Sequence, residues 1–128
     1  MQSGSILVLD DENDIVFTFK RSLEQSGFCT FGFTDPYLAL EHFSSNTSSY
    51  ALVLSDVRMP NMSGIEFAAK IRKLSRQVKI LLMSAFDMKD LSIEPAIGIT
   101  ALLQKPLSPL ELKSIVSKYI NSDQTHAV

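Results

Sequence analysis

The sequence predicts an α/β fold: a doubly wound, five-stranded parallel sheet with five helices on both faces. Short apolar runs alternate with amphipathic stretches of helical length along the whole chain. Such alternation with short connections favours parallel strands joined by right-handed crossovers. Two runs, Ile6-Leu7-Val8-Leu9 and Ala51-Leu52-Val53-Leu54, are continuously apolar, as strands covered on both faces must be. Placing these two side by side at the centre, with a more amphipathic second strand outside, gives the strand order 2-1-3-4-5.

Each element has a local reason. After the first strand, Ile15, Phe19 and Leu23 recur at four-residue spacing with Val16 beside them, which predicts an amphipathic helix over 12–25. Gly27 is its left-handed terminator. Residues 28–33 alternate, with Cys29, Phe31 and Phe33 on one side, and suit a strand near the sheet edge. Cys29 is read there as a small buried hydrophobe. Asp35-Pro36 starts a second helix, cap then proline, with Ala39, Leu40 and Phe43 as its buried stripe. The polar run 44–49 is a loop, followed by the central strand 50–55. Ser63 and Glu66 offer a capping box for a helix using Phe67, Ala68, Ile71 and Leu74 as its apolar positions.

The fourth strand spans 78–83 and ends at Ser84. Between Ser84 and Gly98, Asp87 offers a cap and Met88, Leu91 and Ile93 a short apolar stripe, but Pro95 disfavours helical geometry at Glu94. The spacing predicts a short or irregular helix of about two turns there. The fifth strand spans 99–103. Ser108-Pro109-Leu110-Glu111 opens a last helix that buries Leu112, Ile115, Val116 and Tyr119, and 121–128 reads as a frayed polar tail. The chain is expected to be one domain over 1–122, with 123–128 as its tail and no effector domain in these 128 residues.

Composition narrows the function classes. With 45% hydrophobic and 20% charged residues the chain reads as an ordinary soluble globular protein. A formal charge of -2 with no basic cluster argues against direct nucleic-acid binding; Lys70, Arg72, Lys73 and Arg76 read as the solvated face of one helix. A single cysteine permits no internal disulfide and suits a reducing compartment. The amino terminus has the pattern of neither a signal peptide nor a membrane span, so the expected setting is cytoplasmic. His42 and His126 lack Cys or His company for a transition-metal site.

The chemistry sits at the strand ends. The first strand runs into Asp10-Asp11, the third into Asp56, the fourth into Ser84, and the fifth into Lys105-Pro106. In open parallel sheets ligands bind in the crevice outside those carboxyl ends, at the switch point of the winding. Three carboxylates, a hydroxyl and an ammonium would share one small pocket. Taken singly, each has an ordinary alternative: Asp56 as a turn residue, the Asp pair as a helix cap, Ser84 bonded to backbone, Lys105 in solvent. Two unit charges about 4 Å apart repel by roughly 4 kcal/mol at an effective dielectric of 20, so three clustered carboxylates need a proton or a cation. An all-oxygen donor set points to magnesium, or manganese in its place.

The chain resembles the receiver domain of two-component response regulators over nearly all its length. The resemblance is carried by Leu9-Asp10-Asp11-Glu12, by the segment from Asp56-Val57-Arg58-Met59-Pro60 through Asn61-Met62-Ser63-Gly64, by Ser84-Ala85, and by Lys105-Pro106. Together and in this order these segments are specific. The flavodoxin-like order 2-1-3-4-5 is also the family's own, so on this point the hydropathy argument and the resemblance are not independent.

The resemblance implies that Asp56 accepts a phosphoryl group from a histidine of a sensor kinase or phosphotransfer protein, in a magnesium-dependent reaction, and that a changed surface then engages a downstream protein not named by the sequence. Asp11, Asp56 and the backbone carbonyl of Arg58 would ligate the metal, with Asp10 acting directly or through water. Lys105, preceding a cis proline, would reach the phosphoryl oxygens, and Ser84 would be the switch hydroxyl.

Two departures from the family pattern stand out. The switch position three before Lys105, usually Tyr or Phe, is Leu102, and the stretch from Ser84 to Lys105 is about one residue short. Both predict an atypical output face. Arg58 and Phe86 occupy positions that influence hydrolysis in the family, and their bulk predicts a long-lived phosphoryl-aspartate.

Three other readings compete. An aspartyl-phosphate phosphatase would show Asp-x-Asp where this chain has Asp10-Asp11-Glu12. A flavin carrier would need a Ser/Thr/Gly-rich phosphate loop where this chain places acids. A degenerate receiver acting as a scaffold is favoured by Leu102 and disfavoured by the intact acids. The expected chemistry is confined to the domain's own phosphorylation and dephosphorylation, so the chain is not expected to be an enzyme. It is compatible with a stand-alone switch, a relay step or one domain of a longer protein.

Overall fold

The computed structural model of the chain describes residues 4–85 and 91–126, with side chains as far as residue 121. Five strands form one sheet: β1 (Ser5–Leu9), β2 (Thr30–Phe33), β3 (Tyr50–Asp56), β4 (Lys79–Ser84) and β5 (Ala101–Gln104). Their order is β2-β1-β3-β4-β5 and every neighbouring pair is parallel. Four α-helices are present among the described residues: α1 (Asn13–Gln25), α2 (Pro36–Ser44), α3 (Gly64–Leu74) and α4 (Pro109–His126).

The continuous apolar runs are explained by two cores. Side chains alternate across a strand, so Ile6 and Val8 enter the layer beneath α1 and α4, with Phe19, Leu23, Leu112 and Val116. Leu7 and Leu9 enter the opposite layer beneath α2 and α3, with Phe43, Phe67 and Ile71. These four β1 side chains, Ile6 to Leu9, are fully buried. Each such aliphatic side chain contributes roughly 1.5–3 kcal/mol relative to exposure, so the central strands are fixed in place and their carboxyl ends with them.

The expected caps form. Asp35 accepts from the backbone N–H of Tyr37 at 2.8 Å. Ser63 and Glu66 close both bonds of a capping box on α3, and Ser108 and Glu111 do so on α4. Gly27 takes a positive φ of 94° just past α1.

Four expectations are modified. The helix expected between Ser84 and Gly98 falls partly on residues 86–90, outside the described residues; Leu91 onward is not α-helical and Pro95–Ile97 is a single 3-10 turn. Cys29 is exposed and precedes β2. Phe28 and Thr30 take the buried positions on either side of it, and a period of two then turns Cys29 outward. Arg72 is partly buried, its guanidinium donating to carbonyls of Ile97, Gly98, Ser75, Arg76 and Val78 at 2.6–3.2 Å, so only Lys70, Lys73 and Arg76 form a solvated face. Finally, α4 continues to His126 through the segment expected to fray. No proline or glycine interrupts residues 121–126, and an established helix propagates at little cost. His42 is half-buried in an aromatic cluster with Phe31 and Phe33, and its Nδ1 shares a 2.8 Å hydrogen bond with the Tyr50 hydroxyl.

Candidate functional site

The ladder at the carboxyl edge of the sheet is extended beyond the strands themselves. The N–H of Asp10 donates to Phe33, that of Val57 to Met83 and that of Lys105 to Ser84, at 3.2, 2.9 and 2.8 Å. These bonds hold the first residues past β1, β3 and β5, so the sheet places Asp10, Asp56 and Lys105 side by side. Asp56 is 6% exposed and Asp10 is fully buried, while Asp11 is exposed.

One oxygen of Asp10 accepts from the backbone N–H of Glu12 at 2.9 Å, fixing the turn into α1. The other accepts from Nζ of Lys105 at 3.0 Å, and the same ammonium stands 3.4 Å from Oδ1 of Asp56. The Lys105–Pro106 bond is cis. Carboxylate oxygens of Asp10, Asp11 and Asp56 all lie within 4.8 Å of one another. Three carboxylates against one ammonium leave two negative charges, the complement of one divalent cation. Opposite oxygens on magnesium are about 4.2 Å apart, so a small side-chain adjustment suffices and the donor set fits a hard dication.

The electrostatics agree. Burial pushes the Asp56 carboxyl up to about 6; the charge of Asp10 adds to this, Lys105 opposes it, and Asp11 contributes a further upward push. Burial alone would lower the Lys105 ammonium, but its hydrogen bond to Asp10 and the charges of Asp10 and Asp56 hold it above its ordinary value. Both shifts express one crowding of acids around a single base.

The other expected residues are dispersed around this centre. Ser84 is buried at 2% exposure at the end of β4, in register with Gln104. Arg58 lies exposed on the loop two residues past Asp56. Leu102 is 38% exposed on β5. Phe86 lies outside the described residues. A cleft of about 490 Å3 opens beside Lys105, lined by Glu12, Ile15, Phe19, Pro106 and Leu107 among others.

Gly64, read from the sequence only as the end of the segment that follows Asp56, has a structural role that the sequence pattern did not assign. A Cβ there would lie 2.0 Å from the carbonyl oxygen of Asp56 and 2.8 Å from Cα of Val57, and the Gly64 N–H donates to Val57 at 2.8 Å. Glycine therefore lets α3 begin directly against the backbone that presents Asp56. Its signal was a poor helix former placed just inside a capping box. Gln104, which reaches the loop after β4, had no such signal.

The response regulator receiver domain family matches residues 6–117. The chain is 33% identical over 113 residues to the phosphoglycerate transport system transcriptional regulatory protein PgtA of Salmonella typhimurium, covering 88% of this chain and 27% of that protein. It is 26% identical over 121 residues to sporulation initiation phosphotransferase F of Bacillus subtilis, covering 94% and 96%. It thus spans about a quarter of the first relative's length and nearly all of the second's. Among solved structures, response regulator TrrA of Thermotoga maritima in complex with Mg2+ and BeF superposes with a TM-score of 0.77 at 34% identity, over 91% of this chain and 98% of that one. The chain belongs to the response regulator receiver domain family. As such it is a phosphorylation-controlled signalling domain of two-component systems, and its acidic cluster is of the kind that holds a metal ion. No helix among the described residues is long and apolar enough to cross a membrane.

Proposed function

We propose that Asp56 is the phosphoacceptor, taking a phosphoryl group from the phosphohistidine of a sensor kinase or a phosphotransfer protein. The observation that carries this reading is the Lys105 ammonium held between Asp10 and Asp56, 3.0 and 3.4 Å from their oxygens. A carboxylate oxygen of Asp56 attacks phosphorus; the O–P bond forms as the N–P bond of the donor breaks, and its electron pair returns to the imidazole. Lys105 neutralises a phosphoryl oxygen as a point charge, and the Ser84 hydroxyl donates to another once the group is transferred. Magnesium, or manganese in its place, supplies charge neutralisation when held by Asp11, Asp56, the carbonyl of Arg58 and Asp10, the last directly or through water.

The cleft between the start of α1 and the turn after β5 leads to Lys105 and suits the approach of a donor protein. The output is a changed surface for a downstream protein partner; direct nucleic-acid contact and membrane insertion form no part of the reading, and the setting is cytoplasmic. The likeness to a relative solved with Mg2+ and BeF supports the assignment.

Incubation with Mg2+ and acetyl phosphate tests it. Wild type should gain the mass of one phosphoryl group and Asp56→Asn should not; undiminished labelling of the variant would remove Asp56 from the role. Exposed Leu102 favours one second reading, a receiver that takes up the group without switching. In that case phosphorylation would leave the amide shifts of β5 and α4 in place.

A further inference from the structure

Gln104 closes β5 directly opposite Ser84 in the β4–β5 register. Its carboxamide nitrogen lies 3.3 Å from the carbonyl oxygen of Ala85 and 3.5 Å from that of Lys105. An amide NH2 carries two donors and can serve both at once. The backbone bond from Lys105 to Ser84, 2.8 Å, joins the two strands one step below. One exposed side chain thus spans the two loops that leave the sheet with Ser84 and Lys105.

We propose that Gln104 is a positioning residue for the switch hydroxyl, a latch that holds the Ser84–Ala85 backbone in its resting place. The inference rests on the phosphoacceptor reading of Asp56. Ser84 and Ala85 are adjacent, so an inward movement of the Ser84 hydroxyl onto a phosphoryl oxygen carries the Ala85 carbonyl with it and stretches the bond from Gln104. Leu102, on the same strand and 38% exposed, has no hydrogen-bonding group with which to sense that movement. Gln104 has one, and it is already engaged.

Beryllofluoride titration of the full chain at saturating Mg2+, followed by amide NMR, tests this. Wild type should bind with shifts in the Gln104 side-chain NH2 signals. Gln104→Met, which keeps the length and removes the donors, should bind roughly two- to tenfold more tightly, the fold-change of one ordinary hydrogen bond. In a Ser84→Ala background that gain should vanish, because the latch acts through the hydroxyl. Equal or weaker binding by Gln104→Met overturns the proposal, as does the same gain with Ser84 absent. Failure of wild type itself to bind beryllofluoride brings down the phosphoacceptor reading and the latch with it, a distinct outcome from failure of the variant alone.

Discussion

At the scale of single residues, Asp56 is held in an environment unfavourable to its own charge. Its carboxyl lies near 6, against 3.8 for the ordinary group, because it is buried beside Asp10. The folded state therefore binds this proton more tightly than the unfolded chain does. The resulting stabilisation is full below about pH 3.8, where both states are protonated, and falls as the pH rises. It is lost above about pH 6, where the folded carboxyl ionises too. In metal-free buffer Asp56→Asn should flatten that part of the stability–pH profile and raise stability at pH 7.5 by about 1–3 kcal/mol. Thermal melts in EDTA at several pH values measure it, and a variant no more stable than wild type at pH 7.5 would contradict the electrostatic account. Asp10, Asp11, Asp56 and Lys105 were legible in the sequence because each closes an apolar run, where topology alone dictates convergence. Cys29, Gly64 and Gln104 were not. Their positions depend on where β2 begins, how closely α3 approaches β3, and which way one amide turns, none of which hydropathy records.

Elements show the same division between local and tertiary signals. Caps of α2, α3 and α4 were readable because a side chain three residues or fewer from its target decides them. The role of Arg72 was hidden because its partners are carbonyls of two loops, Ile97 and Gly98 on one and Ser75, Arg76 and Val78 on the other. Charge pattern alone made it one more solvated cation. The guanidinium clasps the exit of α3 to the chain entering β5, at the sheet edge opposite the acidic site. Arg72→Met keeps much of the apolar stem but strands those carbonyls. It should cost about 2–4 kcal/mol, seen as a lower urea midpoint with unchanged m, and faster hydrogen exchange at Thr100, whose N–H donates to Ile80. An unchanged midpoint would return Arg72 to the solvated face. In the segment before that clasp the expected short helix falls partly on residues 86–90, outside the described residues; from Leu91 onward Pro95 disfavours regular helix, and Pro95–Ile97 forms a 3-10 turn.

For the whole molecule, strand order is what turns scattered acids into one site. Asp10 and Asp56 are 46 residues apart in the chain, yet β1 and β3 are neighbours, and burial of both central strands on two faces is what the alternating cores enforce. Folding therefore works against the mutual repulsion of three carboxylates, and anything that binds them in the folded state alone returns that work as stability. One site filled to ten times its dissociation constant adds about 1.4 kcal/mol, roughly 5 °C in Tm for a chain of this length. Mg2+ added to the wild-type protein at pH 7.5 should raise Tm by this order, and EDTA should reverse it. Asp11→Asn and Asp56→Asn should lose most of the rise, since each removes a charge from the cluster. Competition between proton and metal for Asp56 also sets a sign: the Mg2+-induced rise should shrink as the pH is lowered through 6. A rise of equal size in both variants, or one that grows at low pH, would place the cation elsewhere on the surface and separate the acidic cluster from metal binding.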